Sequence, residues 1–282
     1  MHDDQIILDR FSHPYLKLRY AEIAPTKRNY IEHHHTECEI ALFLSGTGSY
    51  RVGSKEYDIA AGDIFLFASN ENHFITEIGG FSYIRLHFEP RILWLGNELS
   101  DPIFMKIFFD RNDSFENRLD RKNPNAALLS GYITELYNEM RNKKTAYTAA
   151  AQILLDKIFL TLIRGYNFVN TDSSFAADTV SLKHLEKAMK FIDANLENPL
   201  SLDDIAKTAL MSRNYFCTVF KKFNGISPWD YITIKRIEKS IELLKTADMS
   251  KLEIAYACGF NSPSNFYKAF RRITGKSPGD IT

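Results

Sequence analysis

The sequence has few cysteines and no long apolar run. Its three cysteines, Cys38, Cys217 and Cys258, lie far apart and are odd in number, so they suggest neither a disulfide framework nor a paired-cysteine zinc site. No apolar run approaches the ~18 residues that a membrane-spanning helix requires. The first residues, Met-His-Asp-Asp-Gln, are acidic where a secretory signal is basic. These absences predict a cytoplasmic protein without a membrane partner.

The chain also lacks an excess of charge of either sign, but its charges are unevenly distributed. Its 282 residues are enough for two domains of roughly 100–200 residues each. Residues 182–282 hold 16 Lys and Arg against 11 Asp and Glu, a net charge of +5, which leaves −5 for residues 1–181. A basic C-terminal part behind an acidic N-terminal part is expected when one domain contacts phosphate and the other does not.

An internal repeat lies near the C-terminus. Residues 212–230 align with residues 262–280, always 50 positions apart. The shared residues are Ser212 and Ser262, Phe216 and Phe266, Phe220 and Phe270, Gly225 and Gly275, Ser227 and Ser277, Pro228 and Pro278, and Asp230 and Asp280. Self-similarity at a fixed period indicates one supersecondary unit used twice.

Including the helix that precedes each aligned segment, the two copies span residues 201–225 and 250–275. Each copy predicts two helices joined by a short turn. A residue that can cap a helix precedes each apolar stripe, and a glycine that can adopt the left-handed conformation follows the second helix. The predicted caps are Ser201, Ser212, Ser250 and Ser262, and the predicted stops are Gly225 and Gly275. Between the copies, Ser227 and Pro228 begin a helix that we expect to end near Thr246, a length of ~28 Å at ~1.5 Å per residue. Such a rod could place two helices in successive major grooves, ~34 Å apart.

Polar and basic side chains occupy the outward faces of the second helix in each copy. Asn, Thr and Lys near a helix start suit base edges, whereas cationic side chains further along suit phosphates. The candidate DNA-contacting residues are Arg213, Asn214, Cys217, Thr218, Lys221, Lys222, Ser264, Asn265, Tyr267, Lys268, Arg271 and Arg272. The alternative is a protein-binding helical bundle in which the phenylalanines form only a core.

Residues 201–282 resemble the double helix-turn-helix domain of the AraC/XylS regulators. The resemblance rests on the segments IAKTALMSRNYF, FKKFNGISPWDYI, KRIEKSIELLK and IAYACGFNSPSNFYKAFRRITGKSP. It implies a transcription factor that binds double-stranded promoter or operator DNA with its second and sixth helices in the major groove. Pro263 departs from the family, which often has a polar residue there, and this puts one base or phosphate contact in doubt.

Short alternating strands separated by turns are predicted over about residues 8–88, as in an antiparallel barrel or sandwich. Parts of both cupin motifs are present: His33, His35, Glu39 and Gly46 of the first, and Gly62 and His73 of the second. Strand alternation would direct His33, His35 and Glu39 to one face. With His73 they would form a donor set of the type that binds a divalent transition metal in cupin enzymes. Other motif positions are replaced, by Lys27, Ala68, Asn70 and Glu77.

Three interpretations of this histidine set stay open: a metal site, a polar effector pocket without a metal, and histidines that only pack. The resemblance to AraC-type sensor domains implies a small effector in the barrel lumen and requires no cofactor. The candidate effector-pocket residues are His33, His35, Glu39, His73, Tyr83, Arg85 and His87. The candidate metal ligands are His33, His35, Glu39 and His73.

Residues 124–166 switch to helical periodicity, with two apolar stripes that include Leu136 and Leu155. In the family that the chain resembles, the corresponding helix pair dimerises, so a homodimer is expected through this segment. Residues 167–180 are rich in Ser, Thr, Asp and Asn and predict an interdomain linker.

We therefore expect a multidomain α+β protein. Residues 1–166 would form a cupin-like β-barrel with a helical dimerisation pair, residues 167–180 a linker, and residues 181–282 an all-α double helix-turn-helix domain. The expected function is that of a transcription activator controlled by a small effector, with a sugar favoured and RNA polymerase as a further partner. The alternative is a metal-dependent cupin enzyme with a helical appendage, which the incomplete motif and the DNA-reading repeat disfavour.

Overall fold

The computed structural model describes residues 9–13, 15–26, 36–69, 71–94, 102–169 and 179–280. The chain divides between Phe175 and Ala176 into an N-terminal and a C-terminal unit. Within the described ranges, no helix is both long and apolar enough to cross a bilayer.

The N-terminal unit is built on one antiparallel sheet of six strands. The strands are β1 (Asp9–His13), β2 (Leu16–Ile23), β3 (Cys38–Val52), β4 (Lys55–Ala60), β5 (Ile64–Phe67) and β6 (His73–Phe88). Their order is β1-β2-β6-β3-β4, and β5 pairs with the first half of β3. No strand pairing among the described residues closes this sheet into the predicted barrel.

Facing glycines bend the two longest strands, β3 and β6. Gly46 has a φ of +86°, and a Cβ at this position would lie 1.9 Å from the carbonyl oxygen of Gly80. The pairing of β3 with β6 shifts register on both sides of Gly46. The sequence predicted only short strands separated by turns in this region, whereas β3 continues through Gly46 and Gly48 as one strand of 15 residues. The glycines form bulges inside one strand, because a bulge bends the strand without ending it.

The two faces of the sheet differ in composition. The inner face is aromatic: Phe43, Tyr50, Phe65, Phe67 and Tyr83 are buried against one another. Rings of this cluster lie 5.0–6.2 Å apart, in edge-to-face, tilted and stacked arrangements. The opposite face is aliphatic, with Ile40, Leu42, Ile84 and Leu86 buried. Because both faces are buried, every residue of β3 from Cys38 to Phe43 is buried instead of every second one.

Helices cover the aliphatic face. They are α1 (Lys106–Phe109), α2 (Asn125–Asn142) and α3 (Tyr147–Gly165). Phe159 of α3 contacts Phe88 of β6 at a ring distance of 5.5 Å, and Tyr137 of α2 contacts Tyr20 of β2 at 5.8 Å. Leu136 and Leu155, which were predicted to lie at a dimer seam, are 0% and 3% exposed within the chain. These apolar stripes therefore belong to the core of the N-terminal unit, and the prediction that they form a dimer seam is wrong.

The predicted linker, residues 167–180, is partly folded. The carbonyl oxygen of Phe168 accepts from the backbone N–H of Asn112 at 2.9 Å, and Phe168 and Val169 are buried in the N-terminal unit. At the other end, Thr179 begins a helix. The polar composition of residues 167–180 suggested a linker that begins at residue 167. Because Phe168 and Val169 are buried in the N-terminal unit, the linker begins later.

The C-terminal unit is helical. Its helices are α4 (Thr179–Ala194), α5 (Leu202–Thr208), α6 (Arg213–Asn224), α7 (Pro228–Thr246), α8 (Lys251–Ala257) and α9 (Pro263–Thr274). The predicted bounds of α7 are confirmed, and all four predicted capping serines accept a hydrogen bond from the backbone three residues later. Phe216, Phe220, Phe266 and Phe270 are fully buried, as the repeat predicts for its inward face.

Candidate nucleic-acid interface and inner-face polar cluster

The helices α6 and α9 are positioned by the same local devices. Ser212 accepts from the backbone N–H of Tyr215 at 3.4 Å, and Ser262 accepts from that of Asn265 at 3.3 Å. Each helix ends at a glycine in the left-handed region, Gly225 with a φ of 75° and Gly275 with a φ of 69°. Both helices therefore have defined ends.

The outward faces of α6 and α9 carry the predicted residues. All twelve candidates lie on these two helices, and all are exposed except Cys217, which is partly buried. Spacings of three and four residues place Asn214, Cys217, Thr218 and Lys221 on one stripe of α6. The corresponding stripe of α9 contains Ser264, Tyr267, Lys268 and Arg271.

Some of these side chains already have partners within the unit. Arg213 forms an ion pair with Asp203 of α5 at 3.3 Å, and Arg272 forms one with Asp230 of α7 at 3.1 Å. The Thr218 hydroxyl donates to the carbonyl oxygen of Asn214 at 3.0 Å. Exposed ion pairs of this kind contribute about 0–1 kcal/mol. Both arginines can therefore exchange a carboxylate for a phosphate at little cost.

Sequence reasoning missed a buried arginine at the centre of the C-terminal unit. Arg236, in the middle of α7, donates from Nε to the carbonyl oxygen of Leu196 and from Nη2 to that of Asn198, both at 2.9 Å. Gly259, in the turn between α8 and α9, has a φ of +82°, and a Cβ there would lie 2.3 Å from the Leu196 oxygen. Arg236 thus joins the α4–α5 loop, the long helix and the turn of the second copy. In the sequence, Arg236 is one of several charged residues of a helical segment, and nothing in that pattern indicates these contacts.

The position of the first predicted DNA-contacting helix in the C-terminal unit differs from the expectation. The predicted second and sixth helices are the third and sixth of the C-terminal unit, α6 and α9, because α4 precedes the repeat. The sequence interpretation began at Ser201 and left α4 out. Leu185, Met189 and Ile192 of α4 are buried, so α4 belongs to the core of the unit.

A polar cluster lies on the inner face of the sheet, at the start of β3. The Glu39 carboxylate contacts Nε2 of His87 at 2.8 Å, Nε2 of His73 at 3.3 Å and Nε of Arg85 at 3.3 Å. Glu39 and His73 are fully buried, whereas the His87 side chain is 20% exposed. The Arg85 guanidinium lies 4.5 Å from the centroid of the Tyr83 ring. Five of the seven predicted pocket residues are therefore in contact with one another.

The described part of this cluster does not fit a metal centre. Arg85 places a cation against the Glu39 carboxylate, and no group of three or more His, Cys, Asp or Glu residues in the described ranges could hold a metal ion. His33 and His35 lie outside the described residues. Strand β3 begins only at Cys38, so strand alternation cannot be counted back from Glu39 to these histidines.

Two family models match the chain. The AraC-like ligand binding domain matches residues 16–157, half of the chain, and a helix-turn-helix domain matches residues 205–282. The chain belongs to the AraC family. It is a transcription regulator with an N-terminal ligand-binding domain and a C-terminal DNA-binding helix-turn-helix domain.

Known proteins resemble the chain over most of its length. The Msm operon regulatory protein of Streptococcus mutans is 26% identical over 270 residues, 90% of this chain and 84% of that protein. The melibiose operon regulatory protein of Escherichia coli is 25% identical over 272 residues, 93% and 85% of the two chains. The structure of ToxT from Vibrio cholerae with an unsaturated fatty acid bound has a TM-score of 0.54 at 15% identity and covers 95% of each chain. The predicted fold class, a sheet-rich sensor followed by a helical domain, is confirmed.

Proposed function

We propose that α6 and α9 of this regulator read two segments of one operator, and that a small effector bound by the N-terminal unit controls this reading. The proposal rests on the stripe of polar and basic residues that faces outward on both α6 and α9. Each of two capped helices in one unit presents polar side chains in its first turns and two cations in its last turn. The helix α7 between them has 19 residues, or about 28 Å at ~1.5 Å per residue.

The residues divide by their chemistry. Asn214 and Thr218, and Ser264, Asn265 and Lys268 in the second copy, lie in the first half of each helix and suit base edges. The cations of the last turns suit phosphates, which position the protein without reading sequence. These are Lys221, Lys222, Arg271 and Arg272.

The effector would bind on the inner face of the sheet, at Glu39, His73, Tyr83, Arg85 and His87. His87 gives the cluster an exposed edge. We favour a carbohydrate, since a buried set of donors and acceptors beside aromatic rings suits hydroxyl groups, and one relative is named as the regulatory protein of a melibiose operon. A fatty acid, as in the ToxT structure, is the competing class. Regulation would proceed by binding alone, with RNA polymerase contacted at the promoter.

We also propose a homodimer, through the exposed face of the helix pair instead of the buried stripes. Leu128 of α2 and Ile153 and Leu160 of α3 are 45%, 58% and 38% exposed. Ile153 and Leu160 are seven residues apart, so they share a helical face. Replacing both with Lys should give a folded monomer by light scattering. Gln152→Lys, an exposed polar position on the same helix, is the control and should leave the dimer intact. A dimeric mass in the double variant would place the interface elsewhere.

The DNA proposal is tested by binding isotherms with DNA from upstream of the protein's own gene and with scrambled DNA, at several salt concentrations. Lys221→Ala should weaken binding to both sequences and lower the salt slope by about one. Lys187→Ala, an exposed lysine of α4 with the same charge change, is the control. Absence of salt-sensitive, sequence-selective binding to any upstream segment by the parent protein would overturn the proposal.

A further inference from the structure

Leu210 is an exposed leucine in the turn between α5 and α6. It is 74% exposed, the largest fraction among the large apolar residues of the described ranges. Its φ is +52°, in the left-handed region that bulky residues rarely adopt, because the Cβ then lies too close to the following carbonyl oxygen. The position thus combines apolar surface in water with a strained backbone, and both raise the free energy of the free protein.

The turn itself does not require a leucine. The backbone N–H of Leu210 donates to the carbonyl oxygen of Lys207, and the N–H of Met211 donates to that of Ala206, both at 3.0 Å. These hydrogen bonds involve only the backbone. A glycine at position 210 would make the same turn without the strain, because it has no Cβ. The leucine side chain therefore has no role in forming the turn.

The corresponding turn of the second copy has a glycine. The N–H groups of Gly259 and Phe260 donate to the carbonyl oxygens of Tyr256 and Ala255, at 2.9 and 3.1 Å, in the same pattern. Gly259 also lies in the left-handed region, with a φ of +82°. A Cβ there would lie 2.3 Å from the carbonyl oxygen of Leu196. The second copy therefore cannot hold a side chain at this position, whereas the first copy presents a leucine to the solvent.

Leu210 lies beside the start of the first DNA-reading helix. It precedes Ser212, the cap of α6, by two residues, and two residues span at most ~7 Å. In helix-turn-helix proteins, the first residues of the second helix are the ones that approach base edges in the major groove. Asn214, a proposed base-contacting residue, lies two positions after the cap. The Leu210 side chain is therefore next to the part of α6 that would enter the groove.

The chemistry of the major groove limits what a leucine can recognise there. Base pairs present hydrogen-bond donors and acceptors in the groove, and a leucine side chain can pair with none of them. The apolar group that distinguishes one base is the C5-methyl group of thymine. A contact between this methyl group and the leucine would remove apolar surface of both molecules from water, which is favourable.

We infer that Leu210 contacts the C5-methyl group of a thymine in the operator segment that α6 reads. The inference rests on the proposed function of α6 and adds a specificity-determining residue from the turn before the helix. It accounts for a leucine in a strained turn, since strained residues are concentrated at functional sites. The second copy has Gly259 at the corresponding position, so the operator segment under α9 lacks this thymine contact.

The test uses operator DNA in which each thymine in turn is replaced by deoxyuridine, which lacks only the C5-methyl group. The operator is the upstream segment that the full-length parent protein binds selectively. One replacement should raise the Kd of the parent about fourfold, the effect of one buried methyl group, and should not change the Kd of Leu210→Ala. On the unmodified operator, Leu210→Ala should bind about three- to tenfold more weakly than the parent, with unchanged binding to scrambled DNA.

A matched control and a stability measurement separate a DNA contact from a role in folding. Leu252→Ala, which truncates an exposed leucine of α8, should keep the parent's sensitivity to the same thymine. Leu210→Gly should melt at or above the temperature of the parent, because glycine adopts the left-handed turn without strain. The same variant should nevertheless bind the operator as weakly as Leu210→Ala does.

Three outcomes would contradict the inference. A lower melting temperature of Leu210→Gly would show that the leucine packs within the free protein. If no deoxyuridine replacement weakens the parent more than it weakens Leu210→Ala, the leucine contacts no thymine methyl group, and α6 can still read the operator without it. Absence of sequence-selective binding by the parent would overturn the proposed function together with this inference.

Discussion

The two helices α6 and α9 share the residues that build them and differ in the residues that face outward. Both have 12 residues, a serine cap and a left-handed glycine stop. At corresponding outward positions, however, Cys217 and Thr218 of α6 are replaced by Tyr267 and Lys268 in α9. The two copies therefore share the residues that form and pack the helix, but not the outward-facing residues that would contact bases. Under the proposed function, the two halves of an operator should differ in base sequence, and the basic pair at the end of each helix should contact phosphates in both.

The cores under the two helices also differ in depth. α6 buries Phe216, Val219, Phe220 and Phe223, whereas only Phe266 and Phe270 of α9 are buried. Ala269 and Ile273, at the positions equivalent to Val219 and Phe223, are only partly buried. The second copy thus has less apolar burial to stabilise it, and Arg236 links it to the first through α7.

The largest expected effect is the loss of a core phenylalanine. Phe220→Ala and Phe270→Ala should each cost about 3–5 kcal/mol, since both rings are fully buried. Amide hydrogen exchange in α4–α9 of the full chain measures the cost. If the copies are coupled, each variant should accelerate exchange in both α6 and α9. Acceleration confined to the mutated copy would show that the two copies are stable independently of each other.

Removing the link between the copies should have the next largest effect. Arg236→Met leaves the carbonyl oxygens of Leu196 and Asn198 without their donor, and should cost about 2–3 kcal/mol. Specific binding should fall more than nonspecific binding, because two helices that are no longer aligned still attract phosphate. Lys245→Met, on the exposed end of α7, is the control. Unchanged specificity in a destabilised Arg236→Met protein would show that Arg236 contributes to folding only.

The reading surface itself is tested by two variants of α6. Asn214→Ala should cost about 1–3 kcal/mol of specific binding and relax preference at one operator position. Lys221→Ala should weaken operator and scrambled DNA together. Isotherms at several salt concentrations separate the two effects. If both variants keep the specificity ratio of the parent, Asn214 does not read a base.

The smallest expected effect is the loss of a cap. Ser212→Ala and Ser262→Ala should each destabilise the C-terminal unit by about 1 kcal/mol. The loss at Ser262 should increase hydrogen exchange at the start of α9 more than the loss at Ser212 does at the start of α6, because α9 has the shallower core. Equal changes in exchange would indicate that burial depth does not limit the stability of either helix.

The sequence by itself determined the local structure of the C-terminal unit. Caps, stops and the bounds of α7 depend on contacts between residues three or four positions apart, which a sequence displays directly. Strand alternation is also local, and it puts Tyr83, Arg85 and His87 on one face of β6, but only the pairing of β3 with β6 brings Glu39 to that face.

Only the tertiary structure decided the features that depend on distant parts of the chain. Gly46 could be assigned to a bulge only once its partner Gly80 was known, and Leu136 and Leu155 could be assigned to the core only once the sheet beneath them was known. Arg236 reaches carbonyl groups 38 and 40 residues away. Such contacts leave no periodic signal, because each is set by packing between elements and not by spacing along the chain.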